Sequence, residues 1–221
     1  MRRFNEKRAW ARPSRLAFLL TSTLGLVAAV ACLADLPDNA VTLDQVTRGR
    51  YELVSRDCAD CHNRGKTDAS DPQWLAGYLP GTAGQPFLIG PFKTYPANLT
   101  PDPDTGLGKF SDRQIFNAIR FGLDPEKTPD VVITSSTPGQ GNFPAAPVYL
   151  APPMPWPFWR HMTDDALWAL VAYIKHGIKP VSNKVPDSEG PPPGWASIYT
   201  PDIIGPYPLP AFPSGNEEFK P

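Results

Sequence analysis

The sequence predicts a mainly α fold: a small helical bundle with long loops and a proline-rich C-terminal tail. Three observations carry that prediction. Three segments show helical apolar periodicity with their own start and stop signals. Gly and Pro recur every few positions between them. Eleven of the 29 prolines fall from Pro180 onward, and proline fixes φ and removes a backbone donor. With 221 residues, the chain suffices for one domain with a modest core plus extensions. The 21 Lys and Arg against 22 Asp and Glu leave a net charge of −1. That balance argues against a nucleic-acid surface or strong attraction to lipid headgroups. Three cysteines are too few for a disulfide framework.

The N-terminus reads as a targeting segment. Arg2, Arg3, Lys7, Arg8, Arg12 and Arg15 precede an uncharged, largely apolar stretch, Leu16 to Ala34. Ala29-Val30-Ala31 fits the small-residue pattern of leader cleavage. Residues 1–31 are therefore expected to be a signal peptide, with the folded part exported to the bacterial periplasm. Two alternatives are an uncleaved inner-membrane anchor and lipidation at Cys32. All three place the folded part on the same side of the membrane.

The first helix is expected from Thr42, in TLDQVTRGRYELVSRDC. Thr42 and Gln45 make a capping box, and Leu43, Val46, Arg50, Leu53 and Val54 share a face with Tyr51 beside them. This helix is expected to run into the cysteine stretch. Residues 63–109 read as loop, with Trp74, Leu75, Tyr78 and Phe87 as isolated buried candidates. A second helix starts at Ser111, where Ser111 and Gln114 form a capping box and Phe110 staples onto Ile115. Ile115, Ile119 and Phe116 give its apolar face, and Gly122 stops it. Residues 124–153 again show no period. The third helix spans Thr163 to His176, capped by Thr163 and closed by Gly177, with Leu167, Leu170, Val171 and Ile174 as its stripe. The tail, 181–221, holds Ile203, Ile204, Tyr207, Leu209 and Phe212, too many apolar residues for a purely solvated segment. It is expected to wrap along a surface, of its own domain or of a partner.

The chemistry concentrates in DCADCHN. Cys58, Cys61 and His62 form Cys-x-x-Cys-His, the attachment signature of c-type haem. On a helical turn, positions i, i+3 and i+4 share one face. Both thiols then point at one ligand and can form thioethers to two porphyrin vinyl groups, while His62 sits beneath the iron. The competing readings are a thioredoxin-like redox pair and half of a zinc site. The first needs a strand before the motif, and the second needs further Cys or His at ligand spacing. The sixth ligand is to be sought among Met154, Met162, His161 and His176. Met154 is preferred, because Pro152, Pro153 and Pro155 stiffen the chain around a thioether whose bond to iron is weak. Met162 reads as a packing residue beneath a helix start, His161 as a surface or hinge residue, and His176 as a helix C-terminal cation. His/Met ligation raises the reduction potential and leaves no open coordination position, so electron transfer is expected rather than catalysis.

Three stretches together resemble class I cytochrome c domains: CADCH (58–62), PANLTPDPDTGLGKFSD (96–112) and APPMPWPFWRHMTDDALWALVAYIK (151–175). More narrowly, they are similar to the cytochrome c subunits of bacterial membrane-associated dehydrogenases. The match runs in order over 42–180. It implies a cytochrome c-like helical bundle around one covalently bound haem c, with attachment at Cys58 and Cys61, His62 as proximal ligand and Met154 as axial methionine. The first and last helices would cross, through Gly49 with Tyr51 and Trp168 with Tyr173. Asn98 or Thr100 would donate to a haem propionate or serve a plain turn. The implied partners are redox proteins: a dehydrogenase, a terminal oxidase or another cytochrome. The rival reading is a haem enzyme or gas-binding sensor with a labile sixth ligand. The chain departs from the resemblance in its single haem motif, its long 126–151 insert and its tail.

Overall fold

The computed structural model describes residues 41–81, 86–189 and 194–221, so the leader and Cys32 lie outside it. The elements in chain order are α1 (Leu43–Ser55), α2 (Cys58–His62), β1 (Phe87–Ile89), β2 (Phe92–Thr94), α3 (Asp112–Phe121), α4 (Trp156–Trp159), α5 (Asp164–Ala172) and α6 (Pro201–Ile204). The fold is mainly α, as expected. No described helix is long and apolar enough to cross a membrane.

The bundle is organised by the crossing of α1 and α5. Thr42 caps α1 by accepting the Gln45 N–H at 3.1 Å. The contact face of α1 is Val46, Gly49 and Leu53, not the stripe expected from its larger apolar residues. Leu43, Tyr51 and Val54 are exposed, and Arg50 is exposed as well. The reason is Gly49. A Cβ there would sit 1.8 Å from the Ala169 carbonyl oxygen and 2.8 Å from the Tyr173 Cβ. The two backbones therefore meet at the glycine, and α1 turns its bulkier residues outward. Of the expected crossing contacts, Gly49 and Tyr173 meet. Trp168 instead stacks on Phe116 of α3, ring centroids 4.4 Å apart.

Helix α1 also stops before the cysteines. Asp57 takes the left-handed conformation, φ 62°, and α2 begins as a separate turn. Helix α3 forms as its sequence dictates, with both halves of the Ser111/Gln114 capping box closed and Gly122 at φ 70°. It buries Ile115, Phe116 and Ile119 against Leu167, Leu170 and Val171 of α5, in the core that also takes Leu53, Trp74, Cys58 and Met162. Thr163 caps α5, which continues past Ala172 as a π-helical turn, Tyr173–Gly177. The Tyr173 hydroxyl accepts a hydrogen bond from the buried Trp74 indole at 3.0 Å. Lys175 does not simply cap the helix dipole; its ammonium donates to the Phe110 carbonyl at 2.6 Å.

Two regions read as loop carry more order than the sequence signals. Phe87–Ile89 and Phe92–Thr94 pair as an antiparallel hairpin in the register Phe87↔Thr94, turning at Gly90 with φ 55°. The insert builds a second small core, where Phe121, Leu123, Ile133 and Phe143 pack with Val131, Tyr149 and Tyr207. Tyr207 belongs to the tail, which wraps its own domain. Asn183 donates its amide to the carbonyls of Ala76 and Tyr78, Glu189 bonds Lys93, and Tyr199 packs edge-on to Trp156 and Tyr149.

Replacing Gly by Ala inside a helix ordinarily stabilises it by roughly 0.5–1 kcal/mol. Gly49→Ala should reverse that sign and cost about 1–3 kcal/mol through overpacking against Ala169, read as a lower denaturation midpoint with an unchanged m-value.

Candidate haem-attachment site

The single turn α2 places Cys58, Cys61 and His62 together. Cys58 is buried, Cys61 and His62 are half-buried, and both thiols are free. Burial pushes the Cys58 thiol up to about 12, with Arg56 opposing. Burial also raises Cys61, helped by Asp60 and Asp57. A thioredoxin-like redox pair needs a strand leading into the motif, whereas here the helix α1 precedes it, with only Arg56 and Asp57 between. Nor do the described residues contain a group of three or more His, Cys, Asp or Glu arranged to hold a metal ion.

The imidazole is set by one contact. His62 Nδ1 lies 2.7 Å from the Ala97 carbonyl oxygen. A carbonyl only accepts, so Nδ1 carries the proton and Nε2 keeps a bare lone pair, the arrangement that ligating histidines adopt. Burial lowers the pKa of His62, and the Ala97 bond partly offsets that shift. The ring is thus neutral at pH 7, the state that can bind a metal. Two thiols on one face and a neutral imidazole with its tautomer fixed are a donor set that fits covalently attached haem.

The wall behind His62 is built from backbone. The His62 carbonyl accepts the Gly77 N–H at 2.9 Å, Pro96 O accepts Tyr78 N–H at 2.9 Å and Leu75 O accepts Leu99 N–H at 2.9 Å. Gly77 has φ 79°, and a Cβ on it would lie 2.6 Å from the Ala97 carbonyl group. Glycine is therefore required twice at this position, by its conformation and by its close approach. Asn63, fully buried, joins the turn to the wall: its amide donates to Lys66 O at 2.9 Å and its carbonyl accepts Leu75 N–H at 3.1 Å. The Arg64 guanidinium, also buried, reaches Gly77 O at 3.3 Å and Asp71 at 3.4 Å. The sequence reading had not singled out Asn63, Arg64, Asp71 or Gly77. Only the position of Asn63 and Arg64, just after the motif, could have drawn attention to them.

Asn98 and Thr100 are claimed by the fold. Asn98 Oδ1 accepts the N–H of Thr100 at 2.9 Å, and its amide donates to Val181 O at 2.8 Å. Thr100 Oγ accepts Val181 N–H at 3.1 Å and donates to Asn98 Oδ1. Both are buried, and the turn role is the one they take. Of the sixth-ligand candidates, Met162 lies in the main core, as expected of a packing residue. His176 is exposed and His161 half-buried. Met154 lies outside both buried clusters, half-buried in a turn where its N–H bonds Ala151 O at 3.0 Å and its carbonyl accepts Trp156 N–H at 2.9 Å.

A mainly helical domain that presents Cys-x-x-Cys-His on one turn is an arrangement that suits c-type cytochromes. Comparison with known proteins points to the same group. The chain is similar to cytochrome c subunits of several dehydrogenases. It is 28% identical over 193 residues to the gluconate 2-dehydrogenase cytochrome c subunit of Pantoea cypripedii, covering 84% of this chain and 37% of the relative. It is 30% identical over 193 residues to the cytochrome c subunit of the quinone-dependent alcohol dehydrogenase of Gluconobacter oxydans, covering 83% and 33%. The fructose dehydrogenase cytochrome subunit of Gluconobacter japonicus matches at 28% over 146 residues, covering 66% and 24%. The chain thus spans about a third of the length of the first two relatives. These relatives are cytochrome subunits by name, not catalytic ones. No protein-family model matches the chain.

Asn63→Ala strips the Leu75 N–H and the Lys66 carbonyl of buried partners. It should cost about 1–3 kcal/mol in denaturant unfolding, whereas Lys66→Ala, which removes a largely exposed ion pair with Asp71, should cost about 1 kcal/mol or less.

Proposed function

We propose that this chain is an exported, monohaem c-type cytochrome that passes single electrons from a dehydrogenase towards the respiratory chain. The acceptor would be a terminal oxidase or another cytochrome, and the site of action the periplasm. The N-terminal segment would be removed as a leader, or would hold the protein at the inner membrane as an anchor or through a lipid on Cys32. The observation that carries the reading is the His62 Nδ1–H bond to Ala97 O at 2.7 Å, one residue beyond the second thiol of the motif. It presents a neutral nitrogen to iron beside the two groups that would tether the macrocycle. The names of the homologues support the same reading.

Haem c joined to Cys58 and Cys61 supplies a one-electron couple near the potential that its axial ligands set. His62, with its ring orientation fixed by the Ala97 carbonyl, would hold the iron on one side. Met154 would be the second ligand, on a segment that three prolines and two turn hydrogen bonds keep from collapsing. With both ligands in place the group would serve electron transfer and leave no room for a substrate. The fold around the site keeps water from Cys58. The 126–151 insert and the tail give the domain surfaces beyond the minimal bundle, suited to contact with a larger dehydrogenase subunit.

The full chain, matured in a host competent for c-type haem attachment, should carry one haem by intact mass and keep its ferrous spectrum under carbon monoxide. Colourless protein removes the cytochrome reading; fast carbon monoxide binding by the wild type favours the haem enzyme or gas sensor. Met154→Ala should open the sixth position to carbon monoxide and lower the potential. Met162→Ala should cost about 2–5 kcal/mol of stability and leave the position closed. An exchange of those two outcomes reverses the ligand assignment.

A further inference from the structure

A second polar cluster lies where α3 meets the segment between Met154 and α5. Arg120 and Arg160 are each 3% exposed. Arg120 is paired: its guanidinium donates to Met162 O at 2.7 Å and to Asp164 Oδ1 at 2.6 Å. Arg160 has no carboxylate and no hydrogen-bond acceptor among the described residues. Its guanidinium faces only rings, 5.0 Å from the Tyr207 centroid and 5.8 Å from that of Trp156. Buried nitrogens without hydrogen-bond partners gather here: Nε of Arg160, Nε of Arg120 and Nδ1 of His161. Trp156 Nε1 is buried without a hydrogen-bond partner as well, with the Tyr199 ring beside it.

An unpaired charge removed from water costs several kcal/mol, and each orphaned donor adds to that. Proteins retain such arrangements where an anion completes them. The charged and titratable groups facing Arg160 are few. Arg120 from α3 is itself a cation, Asp164 is engaged by Arg120, His161 is neighbour in sequence, and Tyr149 and Tyr207 approach from the insert and the tail. The one carboxylate among them, Asp164, is taken by Arg120.

We infer that Arg160, backed by Arg120 and His161, forms a buried carboxylate-binding site. The inference rests on the cytochrome reading for one of its two sources. Haem carries two propionates, and Asn98 and Thr100 are unavailable to them because the fold has used their polar atoms. Arg160 lies six residues beyond Met154, and Trp156 between them bonds the Met154 carbonyl, so the site belongs to the same segment as the proposed sixth ligand. The other source is a free carboxylate from solution.

Redox titration of the matured full chain in acetate-free zwitterionic buffer, then with added acetate, separates them. A propionate bound at Arg160 predicts that Arg160→Gln favours the ferric form whether or not acetate is present. The reduced-to-oxidised ratio at fixed poise should fall on the order of tenfold, because an uncompensated carboxylate then acts on the iron. Arg160→Lys should recover most of that loss. A free carboxylate predicts instead that acetate raises the melting temperature of the wild type and not that of Arg160→Gln. That second readout holds even if the wild type carries no haem, which would defeat the cytochrome reading and leave the site on its own evidence. If Arg160→Gln folds and leaves the potential unmoved, and acetate changes no melting temperature, the site does not exist.

Discussion

The carbonyl of Ala97 is the contact on which the geometry of the attachment turn depends. A free histidine on a one-turn helix would rotate about two torsions and exchange its proton between nitrogens. The 2.7 Å bond to Ala97 removes both freedoms. Ala97 in turn is placed by backbone pairing of 75–78 with 96–99, which closes only because Gly77 has no side chain. The chain of cause runs from an absent Cβ, through a strand-like backbone contact, to the tautomer of an imidazole. A substitution at Gly77 would act on His62 without touching it.

The same economy of side chains organises the larger architecture. Gly49 lets α1 and α5 meet backbone to backbone, and Gly106 and Gly108 let the loop after Thr100 fold onto the carbonyls of Thr100 and Pro101. Between these approaches, buried polar side chains replace regular ladders. Asn63, Asn98, Thr100 and Asn183 each satisfy backbone groups that no helix or sheet serves. A loop-rich domain has many such groups, and each would cost on the order of 1–3 kcal/mol if left unpaired. The Asn and Thr clamps let irregular backbone such as 96–102 lie against the bundle with its polar groups paired.

How far this was legible depends on which residues carry the signal. Helix α3 could be read completely, because its capping box, staple and terminal glycine are local and its apolar face is made of large residues. The start of α5, capped by Thr163, was legible for the same reason. The face of α1 was misread because periodicity counts large apolar residues, whereas the contact is made by a glycine. The hairpin escaped because three-residue strands are too short to show alternation. The roles of Asn63, Asn98 and Arg160 depend on partners far along the chain, as in the Asn98 bond to Val181, 83 residues away. No local pattern encodes such a partner.

The tail and the insert are joined through aromatic rings, and this joint bears on the methionine segment. Tyr149 of the insert stacks on Trp156, 5.6 Å between centroids with the ring planes nearly parallel, and Tyr199 of the tail closes edge-on to both. Trp156 is 2% exposed and begins α4 directly after Met154 and Pro155. Proline stiffens the backbone before it, and two rings from separate parts of the chain, Tyr149 and Tyr199, pack on the side chain after it. A thioether is a weak ligand, so its affinity depends on how little the protein must rearrange to present it. The two departures from a minimal bundle, the insert and the tail, thus converge on the segment whose rigidity the proposed ligation needs most.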